Sequence, residues 1–205
     1  ELAPDVNTFL GQAAYLQLGY FETLSQLIAP TRELADKEAL SLASGAALRK
    51  HRGLVNVIRE RGDDPLAVME PFRESLDSFR TATHGARPLE TVLSVYVTAG
   101  MLDDFYRALS ASFGSAGRDT AATLAPDADR HALASLIKDA VDGDEELRGL
   151  LAMWGRRLVG DTLLVARGAL RPATLDAADE KKVEPVFTDL LAAHSRRMEE
   201  LGLDA

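Results

Sequence analysis

Apolar residues recur along the chain at spacings of three and four positions, which is the period of one face of an α-helix. No stretch shows sustained alternation of apolar and polar residues bounded by hairpin turns, the pattern of a half-buried β-strand. The sequence therefore predicts an all-α protein. The predicted helices cover about 5–28, 33–61, 66–79, 88–113, 127–141, 144–168 and 180–201, and Pro71 interrupts the third of them.

Prolines, glycines and capping residues set the predicted ends of these helices. Thr31 is the expected N-cap of the second helix, and the Gly-Asp-Asp-Pro stretch at 62–65 ends it. Pro88 suits the first turn of a helix, and Gly202 suits the position after the last one. The small and polar segment 114–126 is predicted to be a surface linker, and a loop is predicted at Arg171-Pro172.

Two long pairs of predicted helices, 5–28 with 33–61 and 144–168 with 180–201, have short internal connections, so each pair should be antiparallel. We expect these four helices to form the core of one helical-bundle domain covering 1–205, with the middle helices added to it. The pattern leaves open whether the longest middle helix takes the place of 144–168 in that core.

Composition narrows the functional classes. The net charge of −9 in 205 residues argues against a protein that coats nucleic acid, because phosphate contacts require lysine and arginine. The lack of cysteine removes disulfides and thiolate metal sites, so a metal would need His, Asp, Glu or neutral oxygen ligands. No apolar run is long enough to span a bilayer. We expect a cytoplasmic protein without a membrane partner.

A local basic cluster keeps one nucleic-acid hypothesis open. It comprises Arg49, Lys50, Arg52, Arg59 and Arg61. A solvated helix face is the more common meaning of such a run. A patch that binds a phosphate backbone through Arg49, Lys50 and Arg52 is the alternative, and salt-sensitive binding would reveal it.

Four polar side chains fall on the apolar stripes of the predicted core helices: Gln17, His51, Asp161 and His194. Their spacing repeats, with 34 positions between the first two and 33 between the last two. Each helix pair thus offers one oxygen donor and one histidine, as expected of a bundle with a central site.

The other chemistry-bearing residues fit such a site less well. On the helix at 88–113 the stripe passes through Ala99 and leaves Asp103 and Asp104 off the seam. His131 points away from its apolar stripe, and His84 lies in a predicted loop.

Along the chain these residues alternate between a possible oxygen ligand and a histidine. This order resembles the metal-ligand order of the ferritin-like carboxylate di-iron proteins. Stretches similar to the tRNA hydroxylase-like proteins of actinobacteria are "YVTAGMLDDFYRAL" at 96–109, "WGRRLVGDTL" at 154–163 and "HSRRMEELGL" at 194–203. The resemblance implies a bundle in which four carboxylates and two histidines bind two iron ions. Laid on that pattern, Gln17 and Asp161 stand at two acid positions, and Leu48 and Leu191 replace the other two. It therefore implies a degenerate di-iron site.

Three functional hypotheses follow. The leading one is a ferritin-like binding or interaction protein without a functional di-iron centre and without a cofactor, which could form a homodimer through an exposed helix face. The second is a metal-dependent hydroxylase or oxidoreductase with one Fe, Zn or Mn ion on His51, His194 and Asp161, and with Gln17 orienting water or substrate. The third keeps the tRNA association that the resemblance implies, without hydroxylation, through the basic cluster at Arg49, Lys50 and Arg52. Without a metal, both histidines would be neutral core residues and Asp161 would pair with Arg157.

Overall fold

The computed structural model describes residues 4–125, 128–170 and 177–204, and these residues form helices without any β-strand. The all-α prediction is confirmed. The helices are α1 (Val6–Ile28), α2 (Leu34–Glu60), α3 (Pro65–Met69), α4 (Arg73–Ala82), α5 (Pro88–Leu109), α6 (Gly114–Thr123), α7 (Ala128–Val141), α8 (Glu145–Gly168) and α9 (Ala177–Glu200). Short 3₁₀ turns at Glu70–Phe72 and Ser110–Phe113 follow α3 and α5.

Local sequence explains most helix ends. The Asp5 carboxylate caps α1 by accepting hydrogen bonds from the backbone N–H groups of Asn7 and Thr8 at 3.1 and 2.9 Å. Pro88 begins α5, and Gly202 adopts a φ of 72° just after α9, as predicted. The predicted cap at Thr31 is wrong.

The N-cap of α2 is Glu33, which makes no side-chain capping bond. The Thr31 hydroxyl instead donates to the Leu27 carbonyl at 2.6 Å, because it lies within reach of the last turn of α1.

One middle segment differs from the prediction, and a second is interrupted at a proline as predicted. The surface linker expected at 114–126 is largely the helix α6, which packs against α2 and α5. Its small buried residues, Ala116 and Gly117, allow that close approach, and a Cβ on Gly117 would overlap the Ser110 carbonyl. The predicted helix 66–79 is divided at Pro71 into α3 and α4. The predicted loop at 171–172 and helix start at 127 lie outside the described residues.

Four helices close into a ring around a common core. Helix α1 packs against α2, α2 against α7, α7 against α5, and α5 against α1. The predicted core of 5–28, 33–61, 144–168 and 180–201 is therefore wrong in its second half. The middle helices α5 and α7 complete the bundle, and α8 and α9 pack outside it on α5.

Hydrogen bonds fix the directions of these helices. Tyr106 bonds to Gln12 and Asp103 bonds to Gln17, so α5 runs antiparallel to α1. Because a short loop makes α1 and α2 antiparallel as well, α2 and α5 are parallel and need a long crossover. That crossover passes through α3 and α4, both of which pack along α1.

Helix α5 is enclosed on nearly all sides, by α1 and α7 in the ring and by α8 and α9 outside it. Almost every residue from Glu90 to Tyr106 is buried. Neither α1 nor α2 has an extended contact with α8 or α9, since α5 lies between the two pairs. No helix within the described ranges is long and apolar enough to cross a membrane.

Candidate functional site

The centre of the four-helix ring contains a buried charged network. The Lys50 ammonium on α2 lies 2.9 Å from Oδ2 of Asp103 on α5, and the Gln17 side-chain amide on α1 donates to Oδ1 at 2.7 Å. The Arg130 guanidinium on α7 lies 3.7 Å from the same Oδ2. Each helix of the ring thus contributes one polar side chain, and all three donors face one carboxylate.

Burial makes this network energetically demanding. The Asp103 side chain is only 2% exposed and the Lys50 side chain 12%. A carboxylate at that depth requires charged or hydrogen-bonding partners, and Asp103 has all three described above. Burial raises the pKa of the Asp103 carboxyl, while Lys50, Arg130 and Gln17 oppose the shift by stabilising the ionised form. The buried Asp103 carboxylate is therefore stabilised by these three side chains.

Two tyrosines extend the polar region along α1 and α5. The Tyr106 hydroxyl donates to the Gln12 side chain at 3.3 Å. The Tyr20 hydroxyl is buried near the Thr98 side chain, which partly opposes the effect of burial on the phenol pKa. Burial raises the pKa of both phenols well above its usual value, and the Asp103 charge adds to the shift. Both hydroxyls therefore stay protonated near neutral pH.

A narrow cavity of about 50 Å³ adjoins the network between α1, α2, α5 and α7. Its polar lining comes from Gln17, Lys50, Asp103, Arg130 and the aromatic residues Tyr20 and Tyr96. The rest of its wall is apolar and mostly small: Leu24, Ala43, Ala46, Ala47, Val95, Ala99 and Leu133. We call this space the central cavity. It combines an apolar wall with two cations and one carboxylate.

A second cavity, of about 30 Å³, lies between α1, α4 and α5. It shares Tyr20 and Val95 with the central cavity. Its charged rim is already paired, because Arg80 forms ion pairs with Glu22 and Asp77. It therefore offers less unsatisfied charge to a ligand than the central cavity does.

The four side chains predicted as metal ligands are not brought together. Gln17 lies in the central cavity, but His51, Asp161 and His194 do not line it. His51 and Gln17 belong to the ring, whereas Asp161 and His194 lie on α8 and α9 beyond α5. Within the described ranges no group of three or more His, Cys, Asp or Glu side chains is close enough to bind a metal ion.

The individual environments of these residues also differ. His51 is half-buried, and its Nδ1 lies 2.9 Å from the Ala14 carbonyl, so the hydrogen bond places the proton on Nδ1. Asp161 is half-buried, and no ion pair within the described part of the chain joins it to Arg157. The Arg157 guanidinium instead lies 5.0 Å from the centre of the Trp154 ring.

His194 is the most deeply buried of the four, at 4% exposure. Neither of its ring nitrogens has a hydrogen-bond partner among the described residues. Burial lowers the pKa of its imidazole below 6.5, and the nearby Arg197 charge lowers it further. His194 is therefore a neutral histidine packed beside α5 at neutral pH.

Helical periodicity missed three residues of the central network. Asp103 was expected off the seam and is instead buried in the ring. Lys50 was expected in a solvated basic cluster and is instead tied to Asp103. Arg130 was not singled out. The signal that could have identified Asp103 is the uncharged run 91–102 just before it. A helix without charge over three turns is enclosed on several sides, so a charged residue that follows the run needs a buried partner.

Comparison with protein families gives one match. The model of the family described as "Ferritin-like domain, actinomycetes" matches residues 3–174, which extends from the start of α1 past the end of α8. No curated protein matches the chain. The ring of α1, α2, α5 and α7 with its long crossover agrees with the family match, since one such crossover is typical of ferritin-like bundles.

Proposed function

This chain belongs to the ferritin-like domain family of actinomycetes, and we propose that it is a binding protein in which an ion-pair network takes the place of a dimetal centre. The proposal includes descent from proteins resembling the tRNA hydroxylase-like group. It does not include hydroxylation, because the residues around the central cavity provide little for two metal ions to bind.

The Lys50–Asp103 contact is the observation that carries the proposal. A lysine ammonium 2.9 Å from a buried carboxylate occupies the position that a divalent cation would need and neutralises the same charge. Two iron ions require several carboxylates. Asp103 is the one carboxylate that lines the central cavity in the described structure, and two cations flank it. Binding of a dimetal cluster would have to displace both.

The alternative of a single ion on His51, His194 and Asp161 has less support. Helix α5 lies between the helices that carry these residues. The buried position of His194 beside Arg197 also disfavours an added positive ion. A metal-dependent hydroxylase would therefore need a rearrangement of the bundle.

The tRNA alternative has less support, because Lys50, one of its three basic residues, is ion-paired with Asp103. Arg49 and Arg52 remain exposed on α2. Two exposed arginines in a chain of net charge −9 would neutralise few phosphate charges, which disfavours tight binding of tRNA.

Elemental analysis tests the proposal. The protein would be expressed with iron, zinc and manganese supplied, purified without chelator, and compared with His51→Ala. We expect no stoichiometric metal in either protein. About one metal ion per chain, lost in His51→Ala, would support the mononuclear alternative, and about two per chain would support a dimetal centre. The expected homodimer stays a prediction, and sedimentation of the same samples would test it.

A further inference from the structure

We propose that two copies of this chain associate through the outward side of α8, with the two α8 helices antiparallel around a two-fold axis at the midpoint between Arg156 and Arg157. We call this side the α8 face, and it comprises Gly149, Met153, Gly160 and Leu164. The inference goes beyond the proposed function and does not depend on it, because α8 packs outside the ring that contains the Lys50–Asp103 ion pair.

Two large apolar side chains exposed on the α8 face are the first argument. Met153 is 61% exposed and Leu164 is 69% exposed. They lie eleven positions apart, about three helical turns, so they point in the same direction. The buried residues of α8, such as Leu151 and Leu158, lie on the opposite side of the helix. The described part of the chain therefore leaves this apolar face uncovered, as at a protein–protein interface.

The two glycines of the α8 face are the second argument. Gly149 and Gly160 are exposed, and no described atom lies within 4 Å of a Cβ built on either residue. Packing within the chain therefore does not require glycine at these positions, and glycine weakens an exposed helix relative to alanine. Glycine does allow a second helix to approach closely, and it leaves a hollow for a large side chain of that helix.

The order of large and small residues is the third argument, because it is self-complementary. Met153 and Gly160 are equally distant from the proposed two-fold axis, and so are Leu164 and Gly149. Such an axis places each position opposite its counterpart in the second copy. Met153 of each copy would therefore pack at Gly160 of the other, and Leu164 would pack at Gly149. Both hollows of each helix would be filled.

Charge complementarity is the fourth argument, and it favours the antiparallel direction. The same axis places Glu146, in the first turn of α8, opposite Arg167 in the last turn. Opposite charges would then meet at both ends of the helix pair. A parallel pair would instead place Glu146 opposite the same glutamate of the second copy, and like charges repel.

The two arginines beside the axis do not block the contact. The Arg156 guanidinium donates to the Asp204 carbonyl at 2.9 Å. The Arg157 guanidinium lies 5.0 Å from the centre of the Trp154 ring. Each side chain is thus directed toward a contact of its own chain on one flank of α8. The middle of the α8 face stays open to a second helix.

Analytical ultracentrifugation of the full chain tests the inference. One pair of helices forms a smaller contact than the roughly 1,600 Å² of a standard interface, so we expect a dimer with a micromolar dissociation constant. Leu164→Asp would bury unpaired carboxylates in the contact and should weaken dimerisation at least about 30-fold. Leu34→Asp is the matched control, because Leu34 is 79% exposed on α2, and it should leave the dissociation constant unchanged.

Two results of this experiment would overturn the inference. One is wild-type protein that stays monomeric at about 200 µM, well above a micromolar dissociation constant. The other is Leu164→Asp protein, folded by circular dichroism, that dimerises as the wild type does.

Gly160→Ala separates the proposed contact from the folding of the chain. In dilute, dissociated protein this substitution should stabilise α8, because alanine favours a helix and no described atom crowds a Cβ there. In concentrated protein it should weaken dimerisation at least about fivefold, since the methyl group would occupy the hollow that Met153 of the second copy fills. Unchanged dimerisation would overturn the inference.

Disulfide cross-linking tests the register, because the chain contains no cysteine of its own. In Met153→Cys/Gly160→Cys the two cysteines of one chain lie about 10 Å apart along the helix, too far for a disulfide within the chain. Oxidation should therefore give a covalent dimer. Met153→Cys alone is the control and should cross-link poorly, since an antiparallel pair separates its two copies by the same distance. Equal cross-linking in the single and double variants would overturn the antiparallel register.

Discussion

Lys50 and Asp103 lie 53 positions apart in the chain, yet their Nζ and Oδ2 atoms are 2.9 Å apart in the centre of the bundle. The long crossover through α3 and α4 allows this contact, because it places α2 and α5 parallel to each other, each packed against α1. The contact therefore links the topology of the fold to the chemistry of its centre.

Removal of the lysine charge should destabilise the protein strongly. Lys50→Met leaves the Asp103 carboxylate buried with one fewer cation, and we expect the free energy of unfolding to fall by about 3 kcal/mol. The double variant Lys50→Met/Asp103→Leu removes both charges and should regain most of that loss. Urea unfolding followed by circular dichroism measures both effects.

Arg52→Met is the control for this series, because Arg52 is exposed on the same helix. Its free energy of unfolding should change by less than about 0.5 kcal/mol. If Lys50→Met changed stability no more than this control, Lys50 would not be paired with a buried carboxylate in solution.

His194 should make the protein less stable in acid. Its pKa is lowered in the folded state below the ordinary value of 6.5, so the unfolded chain binds the proton more tightly. The stability that this neutral imidazole contributes is complete above about pH 6.5 and is lost as the pH falls through the folded-state pKa. Urea unfolding at pH 7.5, 6.5 and 5.5 should show this decrease.

His194→Leu should reduce the decrease in stability between pH 7.5 and 5.5, because leucine cannot be protonated. The exposed His131 provides the comparison, and His131→Gln should keep the wild-type pH dependence. An identical pH dependence in His194→Leu and wild-type protein would show that His194 is not buried as described.

One substitution, glycine to alanine, should have opposite effects at two helical sites. Gly11 is buried on α1, where a Cβ would overlap the Val68 carbonyl and lie 2.8 Å from the Phe72 ring. Gly11→Ala should therefore lower the free energy of unfolding by about 2 kcal/mol. Gly160 lies inside α8 with nothing within 4 Å of a Cβ, so Gly160→Ala should raise it by about 0.5–1 kcal/mol.

Thermal and urea unfolding of the two variants measure these changes. The two changes in unfolding free energy should have opposite signs, because Gly11 lies against the segment around Val68 and Gly160 has open space around it. A stabilising Gly11→Ala would mean that the crossover does not pack this closely on α1.

The sequence predicts the existence and approximate bounds of α1, α2, α8 and α9, because each carries a clear apolar stripe. It does not identify which helices form the ring. The predicted core consisted of long helices joined by short connections. In the structure, the long crossover between α2 and α5 determines which helices form the ring. Contacts between helices that are distant in the chain leave little trace in local periodicity.

Asp103 shows the same limit at the level of one residue. A helix enclosed on nearly all sides, such as α5, has no single apolar face, so periodicity does not tell which polar residue points inward. Gln17 was correctly predicted to point into the bundle, because α1 has a partly exposed side that defines its face. Its partner could be identified only in three dimensions.

The most direct test of the central claim is a crystal structure of the protein grown with Mn²⁺ and recorded at a wavelength at which manganese scatters anomalously. The account predicts no anomalous peak in the central cavity and a Lys50 ammonium within hydrogen-bond distance of the Asp103 carboxylate. An anomalous peak bound by Asp103, with the Lys50 side chain turned away, would contradict it.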